Sequence, residues 1–144
     1  MIMKHLTGLQ LMQAMLNGQI PAPSISETMP MTAIDVSEGK VIFEAMATDR
    51  HLNPMGGVHG GFAATVLDTV TACAVHSALP AGVSYSTIDL NIKMVRPVPQ
   101  NKTLIAKGNL MNLSKSLGIS EGTLTTEDGK LLATATASCL ILRP

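Results

Sequence analysis

Asn53-Pro-Met-Gly-Gly-Val-His59-Gly60-Gly61 leads without a break into residues 62–79, an apolar stretch that carries a single carboxylate, Asp68. A helix that opens on two glycines leaves its first backbone N–H groups free, and with no Cβ in the way a ligand can approach them closely. Such an end also carries the positive pole of the helix dipole and suits a site where negative charge develops. At helical spacing Asp68 shares its face with Ala64, Ala72 and Val75, which give it no charge partner and little polarity. A carboxylate so placed is costly unless backbone or hydroxyl groups satisfy it or chemistry uses it. The two features offer a donor for an oxyanion and a base or nucleophile.

The rest of the chain supplies the elements that must hold these groups. Its 144 residues make one domain with a substantial core, too short for two of ordinary size. The formal net charge is zero and the ten basic residues are scattered, which argues against nucleic acid and against a basic membrane-binding patch. Charged residues make up only 14%, so part of the surface is expected to be covered by oligomerisation. Residues 62–79 are interrupted by Asp68, His76 and several threonines, which favours a buried core helix over a membrane span. Residues 1–16 lack the apolar block and cleavage site of a signal peptide. Cys73 and Cys139 stand alone in apolar surroundings without metal-ligand spacing. Both are expected to be reduced packing residues of a cytoplasmic protein.

Leu6, Leu9, Met12 and Leu16 recur at a helical period that ends at Asn17-Gly18, so residues 5–16 are expected to form an amphipathic helix packed on the domain. The boundaries expected are 1–24 for this helix and its proline-containing connector, and 25–144 for the domain proper. Residues 32–36 and 41–47 flank Ser37-Glu-Gly-Lys40 as a hairpin, and strands are expected at 85–95, 104–112, 118–126 and 131–142. In the last of these, Ala133, Ala135, Ala137 and Cys139 alternate with Leu132, Thr134, Thr136 and Ser138, as in a strand with two unlike faces. The small face could pack on the helix or on another subunit. One long helix and five or six antiparallel strands predict an α+β layer with a curved sheet wrapped around the helix.

The order Asn53, three residues, Gly57, one residue, His59-Gly60-Gly61, six residues, Asp68, followed by Ser86-Thr87-Ile-Asp89-Leu and Arg96-Pro97, resembles the PaaI-like branch of the hotdog-fold acyl-CoA thioesterases. The similarity covers about residues 27–142. It implies a hotdog fold, a homodimer or dimer of dimers, and hydrolysis of an acyl-CoA thioester without metal or prosthetic group. It further implies that Gly60 supplies the oxyanion donor and Asp68 the base or nucleophile. Asn53 would position water or thioester, Thr87 would hydrogen-bond the water or carboxylate, and His59 would organise the loop. Gly57, Val58 and Gly61 would line the substrate.

Eight residues on one helix separate Gly60 from Asp68 by about 12 Å, too far for both to serve one carbonyl. A site that uses both is therefore composite, with Gly60 from one subunit facing Asp68 from the other across antiparallel helices, in agreement with the implied dimer. Arg96, Lys93, Arg143 and Lys115 are candidates for CoA phosphate contacts. Ten methionines against three aromatic residues suggest an adaptable acyl pocket for an aryl or medium-chain group. Two other functions fit the same fold: a non-catalytic acyl-CoA sensor, and a hydratase that pairs His59 with Asp68.

Overall fold

The computed structural model describes residues 2–144. A short 3-10 turn, Ile2–His5, precedes α1, Gly8–Leu16, and a second short helix, α2, spans Ile25–Thr28. The hairpin β1, Met31–Ser37, and β2, Lys40–Ala45, leads through the glycine-rich loop to α3, Gly60–His76. Four strands complete the chain: β3, Ser84–Met94; β4, Leu104–Leu113; β5, Leu117–Thr126; and β6, Leu131–Leu142.

The first α-helix starts later than the apolar period suggested because Thr7 caps it. The Thr7 hydroxyl accepts the Gln10 N–H at 3.1 Å, while the Gln10 side chain accepts the Thr7 N–H at 2.9 Å. The long helix begins at the two glycines as expected but stops at His76, short of Leu79. Ser77 ends it, with Oγ donating to the Ala74 carbonyl and accepting the N–H of Gly39 in the β1–β2 turn. One hydroxyl thus closes the helix and pins the hairpin to it. α2 carries no strong sequence signal and was not expected.

Six antiparallel strands form one sheet in the order β1-β2-β4-β5-β6-β3, wrapped around α3. Phe62, Val66, Leu67, Val70 and Ala74 are buried along the helix, against Leu104, Ala106, Leu124 and the small face of β6. Ala133, Ala135, Ala137 and Cys139 all point inward, so the central helix covers the face that the sequence left open between two partners. Close approach is required at Gly108 of β4, where a Cβ would run into the carbonyl oxygen of Val70. Glycine there lets helix backbone lie directly on the sheet. Among the described residues no helix is long and apolar enough to cross a membrane.

Candidate active site

The loop before α3 is held by its own polar groups. Asn53 Oδ1 accepts the N–H groups of Met55 and Gly57 at 2.9 and 3.2 Å, and the Asn53 N–H donates to the Gly57 carbonyl at 2.7 Å. The carbonyl of Asn53 is thereby a turn-former, and its Nδ2 takes no part in these bonds. Leu52 and Val58 bridge across the loop, and the His59 N–H donates to the His51 carbonyl at 2.8 Å.

His59 is the N-cap of α3, and its Nδ1 accepts the N–H of Gly61 at 2.7 Å. A nitrogen that accepts a backbone N–H is unprotonated, so neutral His59 carries its proton on Nε2. The Gly61 N–H is consumed by the cap, which leaves Gly61 only its lack of a side chain to offer a substrate. The Gly60 N–H, by contrast, makes no hydrogen bond among the described residues. It sits at the first helical position with the dipole behind it, where an oxyanion would be held.

Asp68 lies eight residues further along α3 and is half-buried; among the described residues it has no salt bridge, and its fully buried Oδ1 has no hydrogen-bond partner. Buried polar atoms in folded proteins are nearly always satisfied, so an orphaned carboxylate oxygen marks a group kept for another purpose. Its negative charge reaches Cys73, Tyr85 and Cys139, and in each case adds to burial in holding the group protonated; Cys73 is pushed up to about 12. Thr87 stands on β3 opposite Cys139 of β6, with Oγ1 3.7 Å from Cys139 Sγ. The Cys139 thiol thus touches Thr87 and feels the Asp68 charge, and among the described residues no hydrogen bond joins Thr87 to Asp68.

Beside Gly60 is an open cavity of about 320 Å3, lined by Val58, Gly60, Met94 and Arg96 among others. Arg96 is steadied by a 2.7 Å bond from Nη1 to the Leu131 carbonyl. The other proposed phosphate ligands are not gathered there. Arg143 donates to the Lys115 carbonyl near the far end of β6, and Lys93 is exposed on β3. Arg50, which the sequence did not single out, lines a second cavity of about 390 Å3 with His59, Gly61 and Thr65.

The sequence also gave no sign of His51. This buried side chain accepts the Thr48 N–H at Nδ1, 2.9 Å, and donates from Nε2 to the Thr28 carbonyl at 2.6 Å, while its ring lies 5.0 Å from that of Phe62. It ties α2 to the loop that presents Gly60. Only its distance of eight residues from His59 was visible in the sequence, and that spacing has no meaning outside a regular element. Among the described residues no three His, Cys, Asp or Glu side chains come together as a metal-ligand set.

Residues 55–133 match the family described as the thioesterase superfamily. A solved phenylacetic acid degradation-related protein from Ralstonia eutropha is 37% identical, with a TM-score of 0.81 over 90% of this chain and 98% of that one. The PaaI protein of the E. coli phenylacetic acid degradation operon shares the fold, with a TM-score of 0.80 at 21% identity over 96% of this chain and 94% of its own. Acyl-coenzyme A thioesterase 13 of Homo sapiens is 28% identical over 104 residues, 72% of this chain and 74% of that protein.

Proposed function

The chain belongs to the thioesterase superfamily, as a PaaI-like thioester hydrolase of hotdog fold, and we propose that it cleaves aryl- or medium-chain acyl-CoA thioesters in a composite site shared by two subunits. The observation that carries this proposal is the orphaned, buried Oδ1 of Asp68. The free N–H of Gly60 supplies the complementary donor.

In the proposed reaction the thioester carbonyl accepts the Gly60 N–H of one subunit, which stabilises the oxyanion as it forms. Asp68 of the other subunit acts on the carbonyl carbon in one of two ways. As a base it takes a proton from water, whose oxygen adds to the carbon; the C–S bond then breaks and the proton passes to the departing CoA sulfur. As a nucleophile it forms an acyl-carboxylate anhydride with loss of CoA, and water then opens the anhydride. Both routes give free acid and CoA. His59 keeps Gly60 oriented, Asn53 shapes the loop and keeps Nδ2 for the water or thioester, and Thr87 hydrogen-bonds the water beside Asp68.

Edge strand β3 supports the shared site. It is the long free edge of the sheet, and Ile88, Met94 and Val95 along it and just beyond it are exposed. Thr87 and Met94, seven residues apart on β3, are separated by about 24 Å in one chain. Antiparallel pairing of two β3 edges about a two-fold axis reverses one copy and carries its Thr87 end toward the Met94–Gly60 end of the other. The cavity between Gly60 and Arg96 then serves the CoA side of the thioester. A cytoplasmic homodimer, or a dimer of such dimers, is part of the same proposal.

Thiol release from a panel of aryl- and straight-chain acyl-CoAs, measured on the wild type beside Asp68→Ala, tests it. Turnover that is lost in the variant is expected. Binding without turnover by the wild type would replace the hydrolase with a sensor.

A further inference from the structure

Beneath α1 lies a chamber of about 120 Å3 with Met12 and Met15 of α1, Met31 and Phe43 of the hairpin, and Thr69 and Cys73 of α3 among its walls. It is more enclosed and more apolar than the cavity at His59 and Gly61, with which it shares no lining residue. The cavity at His59 and Gly61 runs along α3 past Phe62 and Thr65. Gly61, Thr65, Thr69 and Cys73 follow at four-residue steps, which is one helical face advancing about 6 Å per step. The two spaces thus lie one turn apart along the same side of α3, one at the loop that presents Gly60 and the other closed by α1.

The walls are largely apolar, with the hydroxyls of Ser26, Thr32 and Thr69 as their polar groups. Thr65 and Thr69 turn their hydroxyls back onto the carbonyls of Gly61 and Thr65, each at 2.9 Å, so neither is left to call for a polar ligand. Cys73 is the one ionisable group among the walls, and burial together with the Asp68 charge keeps it a neutral thiol. That coupling also places the chamber within electrostatic reach of the proposed catalytic carboxylate.

The roof is built in. The Gly8 N–H donates to the Leu79 carbonyl at 3.0 Å, and a Cβ on Gly8 would run into the carbonyl of His76. The start of α1 therefore lies backbone-to-backbone on the end of α3, a seat that only glycine permits. Met12 is fully buried behind that seat, and Met15 is partly buried one turn on.

We propose that this chamber receives the distal, apolar end of the acyl group, and that Met15 on α1 sets how much of it is admitted. The proposal rests on the acyl-CoA thioesterase reading above. A dry cavity of about 150 Å3 takes up benzene, so the chamber suits one unsubstituted ring or an alkyl end of similar bulk. Methionine walls let it adjust in shape more than in polarity. The substrate class is thus an acyl-CoA whose far end is uncharged and no larger than a single ring or a short alkyl chain.

The test is kcat/KM for thiol release from acetyl-, hexanoyl-, decanoyl- and phenylacetyl-CoA, on the wild type, Met15→Phe and Met15→Ala. Circular dichroism and Tm of each variant confirm its fold. Met15→Phe, which narrows the chamber with a rigid ring, is expected to lower the preference for hexanoyl and phenylacetyl over acetyl by about tenfold or more, with acetyl turnover kept. Met15→Ala, which only removes atoms and carries the test if the larger residue is not accommodated, is expected to move the optimum toward decanoyl. Unchanged preferences in a folded variant, with an active wild type, would overturn the chamber's role and leave the thioesterase standing. A wild type inactive on every acyl-CoA would overturn the thioesterase and the chamber with it.

Discussion

His59 and Gly61 are joined by a 2.7 Å hydrogen bond from the Gly61 N–H to the imidazole Nδ1, so the side chain that could have been a base is instead the cap of the helix. Capping one N–H leaves the neighbouring N–H of Gly60 as the donor that faces outward. If this is the work of His59, an asparagine that can cap should restore what an alanine loses. His59→Ala is expected to cost about 1 kcal/mol of stability and to lower kcat, and His59→Asn to recover most of both. Activity equally absent from both, in folded protein, would show that the imidazole itself is needed, as for a base.

Asp68 has a buried oxygen that no group among the described residues satisfies. Asp68→Asn keeps the shape, removes the charge, and should lower kcat by about 10²–10⁴ while leaving Tm unchanged or raised. Thermal unfolding beside the thiol-release assay separates this from a structural role, for which both quantities would fall together.

Gly60 occupies the first helical position, where proline is tolerated, and His59 before it already has extended backbone at φ −62 and ψ 136. Gly60→Pro therefore deletes the N–H with little harm to the helix, although its Cβ must displace the flexible end of Met94, 2.8 Å away. A loss of about 10²–10³ in kcat is expected.

A site shared between subunits permits complementation. Inactive Gly60→Pro and Asp68→Asn chains, refolded together, should regain about a quarter of wild-type activity, because half of the dimers are mixed and each mixed dimer holds one intact site. No recovery, with mixed dimers demonstrated by mass spectrometry, would overturn the pairing of Gly60 with Asp68 across subunits.

Burial first, and the Asp68 charge second, hold the Cys73 thiol up at about 12 against an ordinary 9.0. Above pH 9 the unfolded chain loses this proton and the folded chain keeps it. The contribution is therefore complete below pH 9 and falls as pH rises toward 12, by about 1.4 kcal/mol per unit. Urea unfolding from pH 8 to 10.5 should show that decline. Cys73→Ala should flatten it in part, since Tyr85 and Cys139 are also held protonated by burial.

Much of this protein could be read from periodicity. The strands from Ser84 onward fall within a residue of their expected bounds, because alternation and turn residues are local properties. The helix start at Gly60-Gly61 and the isolation of Asp68 were equally local: one follows from two missing side chains, the other from what stands three and four residues away. Helix arithmetic alone required that Gly60 and Asp68 act from different copies if they act on one carbonyl.

Tertiary structure decided what depends on residues distant in sequence. It turned the alanine face of β6 onto α3, sent the carbonyl of Asn53 into its own loop, and put His51 between Thr28 and Thr48 as a support for the Gly60 turn. It also laid α1 over Thr69 and Cys73 to close a chamber that no pattern announces, since its walls come from five elements. Local spacing fixes which way a side chain points along its own helix or strand. What it then meets, and whether a polar atom there is satisfied or left bare, is set by the packing of elements far apart in the chain.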